Sequence, residues 1–94
     1  MAEPYAIRYR PEVVDDLARL PPNLQRRILD AVDSRLTTEP ARYGTRLRQS
    51  LWGLWKLRVG DCRVVYEIAG REVLVWLIAN RHSVYEEATR RSAR

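Results

Sequence analysis

Three β-branched, apolar stretches separated by two very short turns constrain the fold more than any other feature of this chain. They lie at about residues 51–59, 62–69 and 72–80, and the turns between them are Gly60-Asp61 and Ala69-Gly70-Arg71. Glycine next to a small polar residue is typical of tight hairpin turns. Because turns this short join antiparallel neighbours, the sequence predicts three strands in an antiparallel meander.

The first half of the chain predicts one strand and two helices. Apolar residues alternate over residues 5–10, as in a half-buried strand. Apolar spacings of three and four then indicate a helix that begins at Pro11 and ends at Pro21-Pro22. A second amphipathic helix is predicted from about 22 to 38, and the two helices together form a hairpin.

Two further segments complete the predicted order of elements. Residues 45–50 form a basic loop or short extended piece, and residues 85–94 form a short final helix after the meander. The order β-α-α-β-β-β(-α) is that of an α+β fold. We therefore predict a single domain over residues 1–94, with an antiparallel sheet that carries the helical hairpin on one face.

Composition excludes several classes of protein. The 94 residues are 46% hydrophobic, unlike a disordered chain, and no apolar run approaches the roughly 20 residues of a membrane helix. One cysteine, Cys62, and one histidine leave no internal disulfide and too few ligands for a Cys/His zinc site. We therefore expect no metal or cofactor. The absence of a secretory signal pattern favours a cytoplasmic protein.

The charge of the chain predicts an anionic partner: nucleic acid, an acidic protein, or both. The formal net charge is +5 and the pI is about 10.0. Arginine dominates the basic residues, and biased codon usage with a solvated arginine surface is the simpler explanation for many of them. Lys56 is the only lysine. A lone amine among guanidinium groups can mark a need for a group that can lose its proton.

Cations and a phenol meet on the predicted meander in a pattern that suits cleavage of RNA. Such cleavage requires deprotonation of a 2′-hydroxyl, neutralisation of charge on the phosphate and protonation of the 5′-oxygen. Arg63 and Arg81 suit the phosphate because guanidinium matches its oxygens. Lys56 can assist deprotonation, and Tyr85 can act as the acid or stack on a base. These four are the candidate catalytic residues.

Three more residues are candidates for binding the substrate: Arg48, Arg58 and Trp52. Strand alternation places Trp52, Lys56 and Arg58 on one sheet face, and we expect that face to be open because the helices cover the other. Each choice has an alternative. The cations can be an ordinary solvated face, Arg63 can pair with a nearby carboxylate, Tyr85 can pack under the final helix, and Trp52 can contact a partner protein.

Several short motifs match a known family. They comprise Tyr9-Arg10-Pro11, Asp16-Leu17 through Leu20-Pro21, Leu47-Arg48, the run Leu57-Arg58-Val59-Gly60-Asp61-Cys62-Arg63-Val64-Val65-Tyr66, and Arg81-His82-Ser83-Val84-Tyr85. In these motifs the chain resembles the RelE/ParE superfamily of bacterial toxins from toxin–antitoxin pairs, over nearly its whole length. It departs mildly at Cys62, where many members have an aromatic residue.

The resemblance to RelE implies a compact, microbial-ribonuclease-like fold and cleavage of mRNA in the ribosomal A site. It also implies neutralisation by a cognate antitoxin protein, encoded beside the toxin, in a hetero-oligomeric complex. The RelE active-site pattern falls on Lys56, Arg63, Arg81 and Tyr85, whereas Leu54 stands where the pattern has a further lysine.

The resemblance is also compatible with two other functions. ParE-like members share the fold, lack the catalytic cluster and poison DNA gyrase by binding it. An inactive member would act only as an antitoxin-bound partner in repression.

Overall fold

The computed structural model describes residues 3–93, and over that range it confirms the predicted α+β class. A π-helical turn at Val32–Leu36 extends the second helix, and a 3₁₀ turn at Gln49–Leu51 precedes the third strand. The strands and helices are β1 Ala6–Tyr9, α1 Pro11–Ala18, α2 Pro22–Ala31, α3 Pro40–Tyr43, β2 Thr45–Arg46, β3 Leu54–Val59, β4 Cys62–Ala69, β5 Glu72–Asn80 and α4 Val84–Ser92.

The five strands form one mixed sheet in the order β1-β5-β4-β3-β2. The meander of β3, β4 and β5 is antiparallel as predicted, with Gly60 in the left-handed region (φ 59°) at the first turn. The prediction of a wholly antiparallel sheet is wrong, because β1 pairs with β5 in parallel. A hairpin turn fixes the direction of its two strands, but β1 reaches the sheet through the helical hairpin, which leaves its direction free.

Both faces of the sheet carry a buried core. Under α1 and α2 the core includes Val13, Ile28, Leu57 and Tyr66. The opposite face is not open as predicted, because α4 and the segment before β3 cover part of it. There the buried side chains are Leu47, Leu51, Leu54, Val65, Leu77, Val84 and Ala88. Apolar side chains on both faces of β4 and β5 need cover on both sides, and α4 supplies the second cover.

Element boundaries differ from prediction at several places, and the short helix α3 was not predicted. The third strand begins at Leu54 instead of Leu51, since Gln49 (φ 58°) and Gly53 (φ 102°) take left-handed conformations that interrupt an extended chain. The second helix ends at Leu36. The final helix ends at Ser92, and Arg94, like Met1 and Ala2, lies outside the described residues. Within residues 3–93 no helix is long and apolar enough to cross a membrane.

Candidate functional site

Lys56 and Tyr85 meet on the face that α4 partly covers. Lys56 lies in the middle of β3, and Tyr85 lies in the first turn of α4. The Lys56 Nζ donates a hydrogen bond to the Tyr85 Oη at 3.2 Å and lies 5.0 Å from the centroid of the phenol ring. Tyr85 is 44% exposed, so this ammonium–phenol pair is accessible to a ligand.

A basic groove of about 590 Å³ opens beside the Lys56–Tyr85 pair. Two cations line it with their side chains, Arg48 and Lys56, and among residues 3–93 no carboxylate lines it or forms an ion pair with either. Arg46 also borders the groove, but its side chain lies on the opposite sheet face, because its cross-strand partner Trp55 packs against the core under the helical hairpin. The remaining lining residues are polar or small, apart from Leu51 and Tyr85. Cations without partnering acids favour an anionic ligand.

Arg58 and Arg63 lie farther along the same sheet face, toward the turn between β3 and β4. They are direct cross-strand partners, two residue pairs beyond Lys56 and its partner Val65. That step is about 7 Å along the strands. The Arg63 Nη1 donates to the carbonyl oxygens of Gly60 (3.0 Å) and Cys62 (2.9 Å). These two hydrogen bonds hold the Arg63 guanidinium group over the turn.

Arg81 lies at the same turn. Its backbone N–H donates to the Asp61 carbonyl oxygen at 2.9 Å, and its Nε lies 3.9 Å from the Asp61 Oδ1. Both side chains are at least half exposed, so this ion pair is weak. The predicted residues therefore fall into two groups on one face. Lys56, Tyr85 and Arg48 share the groove, and Arg58, Arg63 and Arg81 surround the turn.

A buried ion pair that the sequence reasoning missed fixes the position of α4. The Asp16 carboxylate receives two hydrogen bonds from the Arg91 guanidinium, at 2.7 and 2.9 Å, and a third from the Ile78 backbone N–H at 3.0 Å. Arg91 also donates to the Trp76 carbonyl oxygen at 3.0 Å. The carboxylate raises the pKa of Arg91. Since 75 residues separate the pair, no local pattern could reveal it.

Arg46 is a further residue that the sequence reasoning missed. Its guanidinium carbon lies 4.7 Å from the Trp52 ring centroid and 4.8 Å from that of Trp55. The prediction that Trp52 lies on a strand is wrong. It lies in the turn before β3, where it is 69% exposed. The Arg46–Trp55 cross-strand pairing brings these groups together, and it depends on the register of β2, which the sequence does not specify.

The described residues contain neither a group of side chains placed to hold a metal ion nor a reactive thiolate. Within 3–93 no group of three or more His, Cys, Asp or Glu side chains is placed to hold a metal ion. Cys62 is buried, and burial together with Asp61 raises the pKa of its thiol. A neutral buried thiol is a poor nucleophile, so Cys62 is not a candidate nucleophile.

Residues 7–85 match the family model for the ParE toxin of type II toxin–antitoxin systems, parDE. The chain belongs to this toxin family. The predicted RelE/ParE membership is thereby confirmed, and the protein is a toxin of a type II toxin–antitoxin system, in which the partner is an antitoxin.

Among the relatives of this toxin, the RelE branch is prominent. This toxin is 30% identical over 79 residues to toxin RelG of Mycobacterium tuberculosis, and the alignment covers 84% of this chain and 91% of that protein. It is 36% identical over 84 residues to toxin RelE of the same organism, with 87% of each chain aligned. The RelBE2 toxin–antitoxin complex of M. tuberculosis contains a chain with a TM-score of 0.78 and 30% identity, covering 83% of this toxin and 99% of that chain.

Proposed function

We propose that this toxin is an endoribonuclease that inhibits translation by cleaving mRNA in the A site of the ribosome, in the cytoplasm. One observation carries the proposal. The Lys56–Tyr85 pair stands in a groove lined by cations and no carboxylate, on the same sheet face as Arg58 and Arg63. Relatives named RelE and RelG support the same activity.

In the proposed reaction the 2′-oxygen attacks phosphorus, the bond to the 5′-oxygen breaks, and water takes the 2′-proton. The products are a 2′,3′-cyclic phosphate and a 5′-hydroxyl end. The Tyr85 hydroxyl protonates the departing 5′-oxygen. The Lys56 ammonium, which donates to the Tyr85 Oη, neutralises the negative charge that the phenol acquires. Lys56 thus acts on the leaving-group side instead of deprotonating the 2′-hydroxyl.

The remaining cations bind the phosphates in this proposal. Arg63 and Arg81 neutralise the charge on the reacting phosphate from the turn between β3 and β4. Arg63 exchanges its hydrogen bonds to the Gly60 and Cys62 carbonyl oxygens for bonds to phosphate oxygens, which are stronger because they are charge-assisted. Arg48 and Arg58 hold neighbouring phosphates. In this mechanism the rate enhancement comes mostly from neutralising charge and from positioning the substrate. A substrate already ordered by the ribosome therefore suits the site.

The test is cleavage of a defined message on translating ribosomes by the purified toxin. Fragment ends should map within the A-site codon and carry a 5′-hydroxyl. Tyr85→Phe should slow cleavage by about 10²-fold or more, and Arg63→Ala and Arg81→Ala by about 10²-fold each. Arg26→Ala, on the exposed surface of α2, is the matched control and should cleave at the wild-type rate.

An intact message would contradict the proposal. DNA breaks that depend on gyrase in cells expressing the toxin, with mRNA left whole, would instead assign it the gyrase-directed activity of ParE-like proteins. Wild-type cleavage by Arg63→Ala or Arg81→Ala would remove that arginine from the catalytic set while leaving the nuclease activity in place.

A further inference from the structure

We infer that the groove binds the nucleoside on the 3′ side of the bond that is cut, and that the hydroxyl groups of Thr45 and Thr89 form hydrogen bonds to its base. The inference rests on the proposed function, because the direction of the RNA follows from protonation of the 5′-oxygen by Tyr85. It adds a direction for the RNA strand across the sheet face and two residues that determine which base follows the cut.

Two threonines flank the Lys56–Tyr85 pair. Thr45 is the cross-strand partner of Lys56, and such partners project from the same sheet face with their Cβ atoms about 5 Å apart. Thr89 follows Tyr85 by four residues in α4, a spacing that places both side chains on the same side of the helix. Both threonines are exposed and line the groove. One hydroxyl therefore lies beside the ammonium and another beside the phenol.

The hydroxyl groups of these two threonines are free to bind a ligand. Among residues 3–93, the hydroxyls of Thr37 and Thr38 donate to backbone carbonyl oxygens, whereas those of Thr45 and Thr89 have no protein partner. A hydroxyl both donates and accepts hydrogen bonds. It can therefore pair with the edge of a base, whereas a cation can only donate.

The size and lining of the groove fit a nucleoside. Its volume of about 590 Å³ lies within the range of sites for small organic ligands, and a phosphate alone would fill only a small part of it. Leu51 and the Tyr85 ring add apolar surface to the polar lining. Gln49, whose φ of 58° is unfavourable for a non-glycine residue, lies in the same wall. Such strain tends to occur at functional sites.

The groove and the turn between β3 and β4 lie on opposite sides of the Lys56–Tyr85 pair. Thr45 lies opposite Lys56, and the Leu47 backbone N–H donates to the Leu54 carbonyl oxygen at 2.9 Å. The segment that lines the groove therefore runs from Lys56 toward the start of β3. Arg58 lies in the other direction, toward the turn. An RNA strand that reaches both the groove and the turn passes the pair between them.

The mechanism assigns a direction to that strand. In an in-line displacement the attacking and leaving oxygens lie on opposite sides of phosphorus. Tyr85 lines the groove and protonates the leaving 5′-oxygen, so the nucleoside that carries this oxygen enters the groove. The nucleoside with the attacking 2′-hydroxyl lies toward Arg63 and Arg81. Arg48, which also lines the groove, then meets the next phosphate on the 3′ side.

The test measures binding to programmed ribosomes apart from cleavage. The messages carry 2′-deoxynucleotides in the A-site codon and at the nucleotide after it, which removes the attacking hydroxyl. In four further messages an abasic site replaces one of these bases at a time. The position of the cut is mapped beforehand with the matching all-ribose message and the wild-type toxin.

Threonine-to-valine variants remove one hydroxyl and keep the shape of the side chain. Thr45→Val and Thr89→Val should each weaken binding of the message with all its bases by about threefold to tenfold, the loss expected for one neutral hydrogen bond. This loss should vanish when the base immediately 3′ of the cut is absent and persist with the other abasic messages. Thr38→Val, whose hydroxyl bonds to the Ser34 carbonyl oxygen outside the groove, is the matched control and should bind every message as the wild type does.

Wild-type affinity in both groove variants would overturn the inference, and so would a loss that vanishes when the base 5′ of the cut is absent. If the all-ribose message is cut while binding does not depend on either threonine, the nuclease proposal stands and the inference fails. If one base shows the dependence but the all-ribose message stays whole, the groove binds a nucleoside, and the nuclease proposal and the strand direction taken from it are both wrong.

Discussion

At the scale of single residues, Tyr66 joins the core to the short helix α3. Its side chain is fully buried, and its Oη donates a hydrogen bond to the Pro40 carbonyl oxygen at 2.6 Å. Gly44 passes so close to the phenol that a Cβ there would collide with the Tyr66 Oη. Burial raises the pKa of Tyr66. The neutral phenol is therefore part of the folded structure, and ionising it opposes folding.

This shift predicts how stability depends on alkaline pH. A folded-state pKa above the unfolded value of about 10 gives stability that is complete below pH 10 and is lost as pH rises above it. Relative to Tyr66→Phe, the wild type should lose about 1.4 kcal/mol of unfolding free energy per pH unit above 10. Urea titrations from pH 8 to 11 measure this. The exposed Tyr43→Phe control should follow the wild type; parallel curves for wild type and Tyr66→Phe would contradict the prediction.

At the scale of elements, α4 is the piece on which the site depends, because it carries Tyr85. The helix is largely polar, and an isolated helix of this length is not stable in water. Its apolar contacts through Val84 and Ala88 are few. The Asp16–Arg91 pair, with 5% and 10% of the two side chains exposed, ties it to α1 and β5 and so holds the phenol over Lys56.

Loss of this ion pair should therefore loosen α4. Asp16→Asn leaves the Arg91 charge buried without its partner, which should lower the free energy of unfolding by about 3 kcal/mol. It should also speed hydrogen exchange of the α4 amides. Arg90→Ala is the control, since Arg90 neighbours Arg91 on the same helix but its side chain is 62% exposed; it should change stability by less than about 1 kcal/mol. Equal effects of the two substitutions would show that burial of the pair does not hold the helix.

The elements that the sequence predicts well are those specified by local signals. The bounds of β4 and β5 agree with the predicted 62–69 and 72–80, because β-branched runs end at turns containing Gly60 and Gly70. Features that depend on contacts between distant parts of the chain could not be predicted from local signals. The parallel partner of β1 and the pairing of Arg46 with Trp55 depend on register, which a single sequence does not specify. The open face was mispredicted because the packing of α4 depends on a contact with α1.

At the scale of the whole molecule, charge is unevenly distributed. The net charge is +5, and five cations lie along the groove and the turn between β3 and β4. They are Arg48, Lys56, Arg58, Arg63 and Arg81, and they are placed to meet phosphates. Carboxylates lie elsewhere on the molecule, for example on α1. A polyanion should therefore approach this face, releasing counterions as it binds.

Counterion release predicts the salt dependence of RNA binding. Each neutralised phosphate of single-stranded RNA contributes about −0.7 to the slope of log K against log salt, so five contacts predict a slope of about −3.5. Arg48→Gln should make the slope shallower by about 0.7 for every RNA sequence, because a phosphate contact carries no base information. Arg26→Gln, on the opposite side of the sheet, should leave it unchanged. Fluorescence anisotropy of a non-cleavable oligoribonucleotide between about 50 and 200 mM NaCl measures the slope. If Arg48→Gln and Arg26→Gln alter it equally, binding reflects net charge alone and the groove is not the phosphate path.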